Sequence, residues 1–297
     1  VNDAVKIRAF INDISIEIGG FMKKVLSVLL LIFTMLLSAC GGVKYEYKDG
    51  VMYENKKPAT GTFEFKSGDY KVKSQFVDGV PEGVLEKYYL DGKLMIKDVF
   101  EGGEIIQEEI YYKNGNLMGF SDAEGLKMYY DDGQLLMSTT YSTGETILYH
   151  ENGNPMMEVL NDNVAIYNED NEGLFKAESG QMIDLGLTMK KLDDGTFEVL
   201  KGDKLVSTID ANGEITNYLY STGEKMMTLS DVDALTEFFF KNGTTLMKQY
   251  GDGKILINYK SGKPLYEVEE NNWYIYDEDG NKITSENETV TDIKKLD

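Results

Sequence analysis

His150 is the single histidine of a chain that also carries one cysteine, 14 methionines and 51 acidic residues, and any chemistry must be assembled from these side chains. A Ser/His/Asp hydrolase needs its histidine in a cleft, beside a nucleophile and an orienting carboxylate. The pairs Met156-Met157 and Met226-Met227 offer soft sulfur of the kind that holds copper. Asp131-Asp132, Asp193-Asp194 and Asp277-Glu278-Asp279 offer oxygen to calcium, but a D-x-D-x-D-G loop ending at Gly280 needs an oxygen ligand at Ile275. A glycosidase needs two carboxylates about 5 to 10 Å apart across a cleft. A chain this acidic supplies such pairs by composition, so they single out nothing. The sequence therefore assigns no catalytic residue, no metal ligand and no cofactor.

Cys40 stands in a more specific setting. Met22-Lys23-Lys24 precedes residues 25–37, a run of thirteen in which only Ser27 and Thr34 are polar. Such a run is too short to span a bilayer. It ends in Leu37-Ser38-Ala39-Cys40, and a basic start, apolar middle and small-residue end make a secretory signal over residues 22–39. The Leu-Ser-Ala-Cys ending resembles a bacterial lipobox. That resemblance implies a diacylglycerol on the Cys40 thiol, cleavage before the cysteine and a lipid anchor in the cell envelope. Gly41 and Gly42 bring no acidic residue next to the cysteine, which favours the outer membrane of a Gram-negative cell and otherwise the cell surface. Residues 1–21 resemble neither a basic n-region nor a transit peptide, and Ile18-Gly19-Gly20 can be encoded by a purine-rich ribosome-binding sequence. Translation is accordingly expected to begin at Met22, with residues 1–21 a misassigned upstream extension.

Cleavage before Cys40 removes four positive and three negative charges, taking the formal net charge from −21 to −22, and it removes Arg8, the only arginine. A surface without arginine and with about two acids per lysine argues against nucleic acid and against electrostatic docking on anionic lipid. With one cysteine there is no internal disulfide. Strand pairing and burial must hold the exported chain.

The elements that do this are written as a repeat. "IYYKNGNLMG" at residues 110–119 returns as "MYYDDGQLLM" at residues 128–137. With each turn glycine as position zero, copies fall at Gly92, Gly115, Gly133, Gly153, Gly223, Gly243, Gly262 and Gly280, with weaker ones at Gly173, Gly195 and Gly213. Steps of 18 to 23 residues within each run mark a repeat array. Position −4 holds Tyr88, Tyr111, Tyr129, Tyr149, Leu219, Phe239, Asn258 and Tyr276. Position +3 holds Met95, Met118, Leu136, Met156, Met226, Leu246, Leu265 and Ile283. Asp, Asn, Thr or Ser precedes the glycine, and Asn-Gly or Asp-Gly between apolar flanks favours a two-residue hairpin turn.

In such a hairpin −4 and +3 face each other on one side of the sheet, and this side is expected to be buried. The opposite side, −3 with +2, turns more polar along the chain. Its ring residues Tyr89, Tyr112, Tyr130, His150, Tyr220, Phe240 and Tyr259 are the candidate binding face. His150 takes the place of a repeat tyrosine, which favours a structural ring over a base or ligand. A three-residue loop with a glycine bulge shifts this register, and the sequence is compatible with both.

"FVDGVPEGVLEKYYLDGKL", residues 76–94, resembles the MORN-variant repeat of bacterial proteins often classed as antitoxins, in its opening Gly83, its Tyr88-Tyr89 pair, its Asp91-Gly92 turn and Leu94. The resemblance runs over roughly residues 60–283, eroded between Asn161 and Asp210 and at "SDVDALTEF". It implies stacked antiparallel hairpins and an interaction role, and it carries no catalytic residues. The expected fold is all-β, an elongated array of hairpin repeats in a single twisted sheet over residues 60–283. A linker and first strand over residues 40–59 precede it, and a polar tail over residues 284–297 follows. The expected function is that of a non-enzymatic envelope lipoprotein binding another protein or an envelope glycan. Neutralisation of a toxin by direct contact is the alternative, and nucleic acid is not expected as a partner.

Overall fold

The computed structural model describes residues 43–269, 272–283 and 289–296. The expected signal segment over residues 22–39 and Cys40 lie outside them. The fold is all-β, and among the described residues the strands are short, antiparallel and joined mostly in sequence order. Residues 231–234, within the eroded stretch "SDVDALTEF", form a plain turn.

The repeats divide between two long sheets rather than one. A 14-stranded sheet runs from Val290–Lys295 through Gly61–Ser67 and on to Gln181–Met182, and a ten-stranded sheet from Leu187–Lys191 to Asn272–Ile275. The described residues separate into two compact units, the first of residues 43–133 with 289–296 and the second of those within 134–283.

The turns explain the packing. The position −3 carbonyl accepts from the glycine N–H at 2.8 to 2.9 Å, as in Tyr89 to Gly92 and Tyr259 to Gly262. The −3 N–H donates to the +1 carbonyl, as in Tyr112 to Asn116 at 2.9 Å. In the eight strong copies each glycine sits at positive φ, from 84° at Gly92 to 99° at Gly223. This is the three-residue loop, a type I turn closed by a glycine bulge. The polar residue before the glycine has a specific use. Asp91 accepts from the Lys93 N–H at 3.1 Å, and Asn114 from that of Asn116 at 2.8 Å.

This loop corrects the expected register. Position −4 pairs with +2, as in Tyr88 with Leu94, Tyr111 with Leu117 and Tyr149 with Pro155. Position −5 pairs with +4, leaving +3 as a bulged extra residue. A bulge lets two successive side chains turn the same way. Met95-Ile96, Leu136-Met137, Met156-Met157 and Met226-Met227 are accordingly all buried. In the eroded copy assigned to Gly173, the residue at positive φ is Asn171, at 62°. Asn171 donates to the Asn168 carbonyl, so position zero lies two residues earlier than the glycine.

In the first unit, residues expected to be a linker and one strand form a three-stranded sheet, Tyr45–Lys48, Val51–Glu54 and Lys57–Pro58. It covers the start of the long sheet, packing Tyr47 on Phe65 (5.9 Å between ring centroids) and Phe76 (6.0 Å), and Tyr45 on Phe63 (5.5 Å). Gly79 seats it. Its carbonyl accepts from Met52 at 2.8 Å, and a Cβ there would lie 2.5 Å from Val51 Cγ1.

The expected polar tail also contains a strand. Val290–Lys295 pairs antiparallel with Gly61–Ser67, with Val290 opposite Ser67 and Lys295 opposite Phe63. Lys66 bridges Asp292 at 2.9 Å, Lys295 bridges Glu54 at 2.9 Å, and Val290 and Ile293 pack against the core.

Candidate interaction face and buried charges

All seven residues of the expected binding face are buried. Tyr89, Tyr112, Tyr130, His150, Tyr220, Phe240 and Tyr259 are 2 to 7% exposed. The physical reason is the glycine bulge, which places the −3 ring over the inner side of the sheet beside the +3 and +4 residues. Once inside, the phenol must be satisfied. Tyr89 Oη donates to the Tyr111 carbonyl (2.7 Å), Tyr112 to Tyr129 (2.6 Å), Tyr220 to Phe239 (2.6 Å) and Tyr259 to Tyr276 (2.8 Å). Each turn is thereby tied to the end of a strand in the next repeat. Lys93 Nζ adds a second tie to the Lys113 carbonyl (2.6 Å), and Asn114 Nδ2 to that of Asp131 (2.7 Å).

His150 makes the same tie, its Nε2 lying 3.1 Å from the Tyr167 carbonyl, with its ring 5.6 Å from that of Tyr220. Burial lowers its pKa below the usual histidine value, so the ring is neutral near pH 7. With Nε2–H donating, Nδ1 is left buried without a hydrogen-bond partner. The nearby Ser221 hydroxyl donates to Glu169 (2.7 Å), which also accepts from the Ser221 N–H and from Lys241 Nζ, both at 2.8 Å. Burial acts to raise the Glu169 pKa, but these donors prevail and bring it down to about 2. Glu169 is thus a permanent anion that joins turns of the two sheets in the second unit, with Lys260 to Glu151 (2.6 Å) beside it. The His150 and Ser221 hydrogen bonds are structural ones.

The methionine pairs lie in the core. The acidic clusters serve turns. Asp277 accepts from the Asp279 and Asn281 N–H groups at 3.0 and 2.7 Å, and Asp194 from that of Thr196 at 3.0 Å. Among the described residues no group of three or more His, Cys, Asp or Glu is placed to hold a metal ion.

The outward side belongs to position −4. In the first unit Tyr88, Tyr111 and Tyr129 are half-buried at the turn ends of alternate strands. Tyr88 Oη donates to Glu86 at 2.7 Å, and Tyr111 Oη to Glu109. A tyrosine that reaches the carboxylate two residues back lies along its own strand instead of standing off the sheet. Burial, then the adjacent carboxylate, pushes both phenols up to about 12, so they remain donors. Lys97 Nζ meets Glu109 at 2.9 Å and Lys71 Nζ meets Glu64 at 2.6 Å, giving a paired polar row beside the aromatic one. The two rows are separate faces of the Tyr-Tyr dipeptide, and the sequence named the wrong member as the exposed one.

The inward side of the same unit holds a row, polar but for one leucine, that sequence reasoning missed. Ser74, Leu85, Asp98, Glu108 and Ser121 are successive cross-strand partners, and all five are buried.

No protein-family model matches the chain, and no curated protein matches it either. Among solved structures it is similar to the wild-type TCP10 domain of Danio rerio CPAP, at 15% identity over 68% of this chain and 93% of that one, with a TM-score of 0.22. It is also similar to a protein of unknown function from Bacteroides caccae, at 15% identity over 78% of this chain and 99% of that one, again with a TM-score of 0.22. At such scores neither likeness carries an argument about function.

Proposed function

We propose that this protein is a lipid-anchored component of a bacterial cell envelope whose repeat array is a non-enzymatic binding scaffold, and that its contact surface is the −4 row. The observation that carries the reading is the placement of Tyr88, Tyr111 and Tyr129, aromatic and partly exposed, with the Tyr88 and Tyr111 hydroxyls tied down on Glu86 and Glu109. Tyrosines held in one geometry give contact area at low entropic cost. The formal net charge of −21 favours a neutral or basic protein or glycan over an acidic one.

Capture from envelope extracts by the mature chain tests the surface. The triple variant Tyr88→Ala, Tyr111→Ala, Tyr129→Ala is expected to lose the captured partner while keeping its β-spectrum. Undiminished capture by the folded variant would remove the −4 row from consideration.

The anchor is tested separately. A single acylated cysteine carries the whole membrane attachment, so Cys40→Ser is expected to move the protein from the membrane to the soluble fraction. Retention of the variant in membranes equal to that of the parent would end the lipoprotein reading.

A further inference from the structure

Asp98 and Glu108 face each other across the strands Leu94–Glu101 and Glu104–Tyr111, on the buried side of the sheet. Asp98 is 0% exposed and Glu108 3%. Neither carboxylate oxygen of Asp98 has a hydrogen-bond partner. Two carboxylates in register on an antiparallel ladder have Cβ atoms about 5 Å apart, close enough for each charge to oppose the other. Their neighbours do little to offset this. Leu85 stands opposite Asp98 on one side, Ser121 stands opposite Glu108 on the other, and Ile96, Phe100 and Ile110 flank the pair along the strands. The charged group facing them is Lys87, two residues from Leu85, and its ammonium lies 4.8 Å from the centre of the Tyr70 ring. A lysine there also works against a cation site. Ser74 closes the row beyond Leu85.

We propose that Asp98 and Glu108 are a proton-holding pair that makes residues 94–111 a pH-sensitive segment, closed while the pair is protonated and opening ahead of the rest of the unit when it ionises. The electrostatics have the corresponding sign. Burial raises Glu108 to about 8, and burial followed by the Glu108 charge raises Asp98 well above the usual aspartate value, against the opposing effect of Lys87. For acids whose pKa is raised by folding, the native state holds more protons than the unfolded one between the ordinary carboxylate range and about pH 8. Stability therefore falls as pH rises through that window. A repeat array opens locally because each repeat touches its neighbours alone. The ionised carboxylates reach water by unzipping these two strands, whose connection at Gly102-Gly103 is itself a turn.

Hydrogen exchange of the intact mature chain at pH 5 and pH 9, corrected for the intrinsic pH dependence of exchange, tests this. Protection of residues 94–111 is expected to fall at least tenfold more than that of Leu235–Phe239 in the second unit. The double variant Asp98→Asn, Glu108→Gln is expected to show no such differential loss. The wild-type comparison decides the matter even where the variant does not fold. Equal loss in both segments, or protection at pH 9 restored by added calcium or magnesium, overturns the proposal, the latter because the pair would then be holding a cation in place of protons.

Discussion

Replacing Tyr112 by alanine is expected to cost about 3 to 5 kcal/mol, the range for truncating a buried aromatic, whereas the same change at Tyr111 should cost about 1 kcal/mol or less. The two residues are adjacent and chemically identical. Their difference comes from the turn, which sends Tyr112 under the sheet, 2% exposed, and leaves Tyr111 half-buried above it. Tyr112→Ala removes the ring and also strands the Tyr129 carbonyl that its hydroxyl satisfied at 2.6 Å. Tyr112→Phe isolates the second effect and should cost about 1 kcal/mol, the net worth of one hydrogen bond. Urea unfolding of the four proteins, followed through a probe in the first unit, reads these values. Equal costs for the two alanine variants, or a larger cost for Tyr111, would contradict the buried assignment of the −3 position.

Deleting residues 290–297 should have the second large effect. The deletion removes the strand paired to Gly61–Ser67, the bridges Lys66 to Asp292 and Lys295 to Glu54, the bond from the Leu296 N–H to the Thr62 carbonyl (2.7 Å), and the packing of Val290 and Ile293. Several ladder bonds at about 1 kcal/mol each, with the apolar area of two side chains, amount to several kcal/mol. The deletion also uncovers an edge, and an uncovered strand edge pairs with other chains. Lowered melting temperature together with concentration-dependent association by light scattering is the expected outcome. A monomeric product with unchanged melting would mean that the strand is dispensable.

The array itself was legible in the sequence because its turns are chemically marked. A glycine near every twentieth residue, preceded by Asn or Asp in six of the eight strong copies, can serve little else than a turn. The identity of the buried face was not legible from those marks, because Asn-Gly suits both a two-residue turn and a type I turn with a glycine bulge. A second signal did distinguish them. Apolar residues stand together at +3 and +4 in Met95-Ile96, Leu136-Met137, Met156-Met157, Met226-Met227 and Leu246-Met247. A strand of strict period two would send one of each pair into water, and a bulge turns both inward. Position −3 carries a tyrosine, histidine or phenylalanine in seven of the eight strong copies, whereas position −4 admits Leu219 and Asn258. Asn171 escaped notice because asparagine can take the left-handed turn position that glycine takes elsewhere. The strand at residues 290–295 escaped because "VTDIKK" carries three charges in six residues. Such charges suit an edge strand as well as they suit a tail. Asp98 and Glu108 escaped because nothing in their flanks distinguishes an inward acid from an outward one.

The pairing of Val290–Lys295 with Gly61–Ser67 also imposes an order on how the protein comes into being. Consecutive hairpins close over a few residues and can form as soon as each emerges, but this contact joins segments more than 200 residues apart. Its loop-closure entropy grows only slowly with length, so the constraint is mainly one of timing. A chain synthesised from its amino end delivers residues 61–67 early and residues 290–295 more than 200 residues later. Throughout that interval the strand Gly61–Ser67 has an open side, and its partner strand must reach it before a neighbour's edge does.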